Sequence, residues 1–156
     1  DELQLPGRQN YWKSSYVNEI SDDAIETVVA HVTAAPSPLT IVYFLRLEGA
    51  IARVAEDGTA YSHRRAAYDF ASLTVWTDPR EDDEQISWTR EFWQAMRPYA
   101  ADAVYVNNLG DEGDTRVREA YSGAKYARLV ALKSKYDPTN LFRLNQNIKP
   151  PSGAST

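Results

Sequence analysis

Three stretches of this chain have the composition of β-strands, and they set the main constraint on its fold. Aromatic and β-branched residues are concentrated in 11–20, 39–47 and 67–77, which is typical of strands that are at least half buried. Helical patterns lie between the first two stretches and after the third. This order favours an α+β fold, in which helices pack on one face of an antiparallel sheet.

The helical patterns are well defined. Ser21 is in an N-cap position with two aspartates behind it, and apolar residues recur at helical spacing over 24–32. The acidic run 80–84 opens a longer helix with a wide apolar stripe over 86–99. Residues 115–135 are predicted to be mostly helical, in two pieces that separate near Ser122.

Two shorter segments complete the prediction. Residues 50–63 contain a Glu-Asp-Gly turn between two apolar pieces and resemble a β-hairpin. Residues 103–107 are predicted to form a short strand, and the charged run 110–114 a loop. A chain of 156 residues with 43% hydrophobic residues can bury a substantial core in one domain.

Composition excludes several classes of function. The net charge of −5 does not suit a nucleic-acid partner, which requires a basic face. Cysteine is absent, and His31 and His63 are not at metal-ligand spacing, so no metal site is predicted. The longest apolar run, 39–45, is too short to cross a membrane, and no signal segment opens the chain.

Polar side chains are concentrated in two places on this apolar frame. Tyr105 and Asn107 are two residues apart on the predicted strand, so a phenol and an amide project from the same side. A phenol can handle a proton, and an amide can pair with the edge of a heterocycle. The second place is the amide run 145–147. Its alternative role, shared by Asn140, is to cap the backbone of a helix or turn.

With these residues in view, the chain resembles the C-terminal half of FAD-linked oxidases of the berberine-bridge-enzyme-like family. The motifs that carry the resemblance are Tyr105-x-Asn107, Gly110-Asp111-Glu112-Gly113, Arg118-x-Ala120-Tyr121, Tyr126-x-Arg128-Leu129-x-x-x-Lys133 and Tyr136-Asp137-Pro138-x-Asn140-x-Phe142-Arg143-x-Asn145-Gln146-Asn147-Ile148. Upstream, Lys13-Ser14, His63-Arg64 and the aromatic strand ending at Trp76 are also similar.

The resemblance implies a substrate-binding cap domain over 1–135 and a C-terminal segment, 136–156, that returns to a flavin domain absent from this chain. That domain, in cis or as a second chain, would hold most of the FAD, and the isolated chain would be inactive. Family members oxidise alcohols, sugars or natural products by hydride transfer to flavin, and many pass the electrons to oxygen. Tyr105, Asn107 and Asn145 are the implied cofactor contacts.

Two departures concern the catalytic base. Several members have a tyrosine base directly after Tyr-x-Asn, and Asn108 occupies that position here; an amide cannot abstract a proton at ordinary pH. Some members have an acid or a glutamine about five residues before the tryptophan that ends the aromatic strand, and here that residue is Ala71. The base then comes from the absent half, or the substrate needs little proton abstraction, or the chain is not a competent oxidase. The alternative function is a non-catalytic α+β module that binds a small aromatic ligand or a protein partner.

Overall fold

The structure is a computed structural model that describes residues 6–151, so residues 1–5 and 152–156 of the two predicted segments lie outside it. Its strands and α-helices are, in chain order, β1 (Gln9–Val17), α1 (Asp22–Thr33), β2 (Ile41–Arg46), α2 (Ala50–Arg53), β3 (Tyr68–Trp76), α3 (Asp82–Met96), α4 (Gly113–Glu119) and α5 (Gly123–Tyr136). Single 3₁₀ turns cover Pro79–Glu81, Arg97–Tyr99 and Val106–Asn108. The predicted α+β class is confirmed.

The three strands form one antiparallel sheet in the order β1-β3-β2. In its register Asp69 of β3 lies between Tyr16 of β1 and Leu45 of β2. Directly paired residues share a face, and successive residues alternate between faces. We call the face that carries Asp69 the site face; its central residues are Trp12, Ser14, Tyr16, Tyr43, Leu45, Asp69 and Ala71.

The opposite face of the sheet packs on α1 and α3 and forms the main hydrophobic core. Val17 and Phe70 from the sheet meet Ala24, Phe92 and Met96 from these helices, and all five are buried. The rings of Phe70 and Phe92 meet edge to face, with their centroids 5.5 Å apart, which is a favoured aromatic geometry. Because α1 and α3 cover this face, the site face is left for other segments of the chain, among them α2.

The helix signals in the sequence correspond to real helix ends. The Ser21 side chain accepts a hydrogen bond from the backbone N–H of Ala24 at 3.2 Å, as an N-cap residue should. The predicted break near Ser122 is also confirmed, because Ser122 caps the start of α5 by accepting from the backbone of Lys125. These local signals therefore fix where α1 and α5 begin.

The predicted hairpin at 50–63 is wrong. Residues 50–53 form the single helical turn α2, and no strand is assigned to the rest of that segment. Side chains from elsewhere take its carbonyl groups: Arg64 donates to the carbonyl of Ile51 at 3.0 Å, and Lys125 donates to that of Tyr61 at 2.5 Å. Two backbone carbonyls of the segment are thus satisfied by buried cations and not by a partner strand.

The predicted strand at 103–107 is also wrong, although its first part runs beside β1. Tyr16 donates its backbone N–H to the carbonyl of Ala103 at 3.0 Å and accepts one from Ala101 at 2.8 Å. The chain then turns, and the N–H of Asn108 bonds to the carbonyl of Tyr105 at 2.8 Å. This turn occurs where the side chain of Asn108 finds partners on the site face.

Across residues 6–151, no helix is both long enough and apolar enough to cross a membrane.

Candidate functional site

The site is built around the carboxylate of Asp69, at the centre of the site face. Asp69 is 3% exposed, and each of its oxygens accepts one side-chain hydrogen bond. The Ser14 hydroxyl donates to Oδ1 at 2.8 Å, and the Asn108 amide donates to Oδ2 at 2.7 Å. Burial raises the pKa of Asp69, while the two hydrogen bonds lower it and offset part of that rise.

Both donors are themselves held in place. The indole N–H of Trp12 donates to the backbone carbonyl of Asn108 at 2.9 Å. The guanidinium of Arg116 donates to the backbone carbonyl of Ser14 at 2.8 Å, from a side chain that is 10% exposed. The carboxylate therefore has a fixed direction relative to the sheet.

A cavity of about 380 Å³ opens beside Asp69. Its walls are four tyrosines and three aliphatic side chains, with Asp69 and Asn108 as the remaining polar groups: Tyr16, Tyr43, Leu45, Leu47, Ile51, Tyr61, Asp69, Tyr105 and Asn108. Burial raises the pKa of the Tyr16 hydroxyl, and so does its hydrogen bond with Tyr61. Burial and the charge of Asp69 also raise the pKa of Tyr43. Both phenols stay protonated at neutral pH. Tyr16 donates its hydroxyl hydrogen to Tyr61, and the hydroxyl of Tyr43 can donate to a ligand.

The structure brings three of the four sequence-predicted site residues together. Although 103–107 is not a strand, the amide of Asn107 donates to the Tyr105 hydroxyl at 2.6 Å, so the phenol and the amide are neighbours. The ring of Tyr105 meets that of Tyr61 edge to face at 5.7 Å. Asn108, considered at the sequence level as an ineffective base, is instead a hydrogen-bond donor to Asp69.

Asn145, the fourth residue, lies apart from the other three. It lines a second cavity of about 650 Å³, shared with Trp12 and the loop 109–114, and its side chain is exposed. Its φ of +59° is in the left-handed region, which asparagine tolerates better than most residues. The next residue, Gln146, donates to the carbonyls of Leu109 and Gly110 at 2.7 and 3.1 Å.

A buried charge cluster supports the site from the edge of β1. The Glu112 carboxylate lies 2.5 Å from the ammonium of Lys13 and 3.3 Å from the guanidinium of Arg116. Arg116 also pairs with Glu119, and the cations of Lys13 and Arg116 each lie 5.2 Å from the ring centre of Trp93. The cluster joins the loop after Asn108 to the strand that carries Ser14.

Neither histidine is placed for metal chemistry. His31 stacks on Phe92, and its ring nitrogen lies 2.8 Å from the Thr27 carbonyl. His63 lies 2.9 Å from the Glu119 carbonyl. In the part of the chain that the structure describes, no three His, Cys, Asp or Glu side chains are grouped to hold a metal ion.

Sequence reasoning missed Asp69, the only acidic residue of β3. The position considered for a base was Ala71, which is on the same face of the strand but two residues later. A signal was present, because aspartate is depleted in strands and costly to bury without partners. An aspartate between Tyr68 and Phe70 is therefore a candidate functional residue on physical grounds alone.

Comparison with known proteins identifies the class. Residues 104–149 match the family model described as "Berberine and berberine like". The FAD-linked oxidoreductase YvdP of Bacillus subtilis is 31% identical over 150 residues, which cover 94% of this chain and 33% of that protein. The monolignol oxidoreductase AtBBE-like 13 of Arabidopsis thaliana is 32% identical over 156 residues, covering 90% of this chain and 29% of that protein. The matched relatives are FAD-linked oxidoreductases.

Solved structures agree at the level of the fold. The berberine bridge enzyme of Eschscholzia californica superposes with a TM-score of 0.84 at 18% identity, over 98% of this chain and 35% of that one. The chain belongs to the berberine-bridge-enzyme-like family. It spans about a third of the length of the curated relatives that it matches.

Proposed function

We propose that this chain is the substrate-binding and C-terminal part of an FAD-dependent oxidoreductase, in which Asp69 is the catalytic base. The substrate is an organic alcohol, sugar or natural product, and oxygen reoxidises the flavin. The observation that carries the proposal is a buried, doubly hydrogen-bonded carboxylate facing a cavity lined with tyrosines. It supplies the base that the sequence alone did not locate.

Asp69 has the properties that proton abstraction from a hydroxyl group requires. A base works best when its pKa is close to the operating pH, and burial moves the pKa of Asp69 upward in that direction. Ser14 and Asn108 hold the carboxylate in one orientation. As a substrate O–H bond breaks, the proton passes to Asp69 and the carbonyl product forms. FAD, when bound, supplies the acceptor that takes the hydride from the substrate carbon.

The polar groups beside the cavity fit one edge of a flavin ring, whose carbonyl oxygens and ring nitrogens accept and donate hydrogen bonds. Asn107 uses one amide hydrogen on Tyr105 and keeps its carbonyl oxygen and second hydrogen available in the exposed pair. We infer that Tyr105 and Asn107 contact the flavin. Asn145 would contact it from the second cavity, across Trp12.

The C-terminal segment has the exposed apolar surface expected of an interface with a flavin domain. Leu141, Phe142 and Leu144 are 74%, 78% and 86% exposed. The backbone of Leu141 and Phe142 is nevertheless held in place, because Asp137 accepts from their N–H groups at 2.7 and 3.0 Å. Three large exposed apolar side chains, two of them on a restrained backbone, indicate an interaction surface. This supports a boundary near residue 136 between the cap domain and the segment that returns to the flavin domain.

The test uses the intact polypeptide that contains residues 1–156 together with its flavin domain. We expect it to bind FAD and to oxidise an alcohol, a sugar or a natural product. Asp69→Asn should lower kcat/KM by roughly 10²- to 10⁴-fold, the usual contribution of a general base, without loss of bound flavin.

Asp102→Asn is the matched control, because the Asp102 side chain is 83% exposed and pairs with Arg97 at the surface. It should leave kcat/KM unchanged. A protein that gains no flavin absorbance with FAD, or an Asp69→Asn variant as active as wild type, would refute the proposal. Asn107→Leu should shift the flavin spectrum, and an unchanged spectrum would remove Asn107 from the flavin contacts.

A further inference from the structure

A continuous set of hydrogen bonds connects the C-terminal segment to Asp69. The side chain of Gln146 donates to the carbonyls of Leu109 and Gly110. The N–H of Leu109 bonds to the carbonyl of Val106 at 3.3 Å and so closes the 3₁₀ turn that contains Asn108. The amide of Asn108 then donates to Asp69. Each connection is between adjacent residues or within hydrogen-bond distance.

We propose that Gln146 is a positioning residue for this site: it holds the segment that follows the 3₁₀ turn, and so keeps the amide of Asn108 directed at Asp69. Trp12 holds Asn108 from the side of β1, and Gln146 holds the next two residues from the C-terminal segment. With both present, the turn is fixed at either side.

The geometry of Gln146 is specific to this task. One amide nitrogen has two hydrogens, and here it serves two consecutive carbonyls, at 2.7 and 3.1 Å. Gln146 is itself half-buried, whereas the preceding five residues are exposed, so the side chain is inserted between the loop and the segment. The left-handed backbone at Asn145 directs the chain into this position.

This inference rests on the proposed function, in which Asp69 is the catalytic base. Its test does not require turnover, so the two ideas can fail separately. The titratable groups that share the cavity with Asp69 are Tyr16 of β1, Tyr43 of β2, and Tyr61 and Tyr105 of the loops. Burial raises the pKa of Tyr16 and Tyr43 further above the range of a carboxyl group, so neither phenol titrates together with Asp69.

The experiment measures the pKa of Asp69 in the intact polypeptide that contains residues 1–156, by carbon NMR of labelled side-chain carboxyl groups, assigned with Asp69→Asn. In Gln146→Met the donor is removed and the length of the side chain is kept. The Asn108 amide should then withdraw from the carboxylate, and the pKa of Asp69 should rise by about half a unit or more.

Lys149→Met is the matched control from the same segment. It breaks the exposed ion pair with Asp114 and does not touch the carbonyls of Leu109 and Gly110, so the pKa of Asp69 should stay at the wild-type value. An unchanged pKa in folded Gln146→Met overturns the proposal, and so does an equal rise in Lys149→Met. If Gln146→Met does not fold, Gln146→Asn is measured instead, because it keeps the amide on a side chain too short to reach the two carbonyls. A wild-type pKa of Asp69 in Gln146→Asn then overturns the proposal.

Discussion

The buried cluster at Glu112 allows a stability prediction that can be worked from the structure. Lys13, Glu112 and Arg116 have side chains that are only 11%, 8% and 10% exposed. Glu112→Gln keeps the shape of the side chain but removes its charge. Arg116 still has Glu119 as a partner, so the cation that loses its counter-ion is Lys13. Lys13 keeps its contacts with the faces of Trp93 and Tyr11, whose ring centres lie 5.2 and 5.9 Å from its ammonium.

Removing one partner of a buried ion pair costs about 3–5 kcal/mol, because it leaves a buried charge without compensation. A cation over an aromatic ring keeps about 1–2 kcal/mol of favourable interaction. We therefore expect Glu112→Gln to lower the free energy of unfolding by about 3 kcal/mol, at the low end of that range. Urea unfolding followed by tryptophan fluorescence measures this quantity directly.

Two further variants make the prediction selective. Asp114→Asn removes an ion pair whose side chains are 59% and 60% exposed, and it should cost at most about 1 kcal/mol. Lys13→Met combined with Glu112→Gln removes the uncompensated cation, so the double variant should be more stable than Glu112→Gln alone. The prediction is contradicted if Glu112→Gln lowers the free energy of unfolding by no more than Asp114→Asn does. It is also contradicted if the double variant loses the sum of what Glu112→Gln and Lys13→Met each lose alone.

Two other perturbations test the core and the site. Phe92→Ala should cost about 3–5 kcal/mol in urea unfolding because it opens a cavity in the main core, whereas Val29→Ala, at a position 58% exposed, should change stability by less than about 0.5 kcal/mol. Asn108→Leu should raise the pKa of Asp69 further. A carboxyl group whose folded pKa is raised loses stability as pH rises through that pKa, so the destabilisation by Asn108→Leu should grow with pH towards about 1.5–3 kcal/mol. The same substitution in Asp69→Asn should show no such pH dependence, and a flat profile in both backgrounds would contradict the role of Asn108.

The sequence predicted most of the regular structure because its signals were local. The strands and helices were found from composition, spacing and caps such as Ser21. The hairpin prediction for 50–63 failed because two of its carbonyls bind the side chains of Arg64 and Lys125, and Lys125 is far along the chain. A pattern of apolar residues around a turn does not contain that information.

The site was only partly predictable for a similar reason. Tyr105 and Asn107 were found as neighbours, since their proximity depends on a spacing of two residues. The proposed role of Asp69 depends on its hydrogen bonds with Ser14 and Asn108, which are 55 and 39 residues away in the sequence. Only the register of β1 and β3 and the turn after Tyr105 bring these three groups together. Long-range register is set by the whole sheet, so single-residue reasoning could not recover it.

The outward-facing side chains of Leu141 and Phe142 have a thermodynamic consequence. Lys133 bonds both to Asp137 and to the carbonyl of Phe142, each at 2.5 Å, and so adds a second constraint on this turn. The segment therefore loses little conformational freedom when another surface covers it, because its backbone is ordered in advance. When a partner binds this turn, the free energy of its apolar contacts therefore contributes to affinity and is not offset by the entropy cost of ordering the segment.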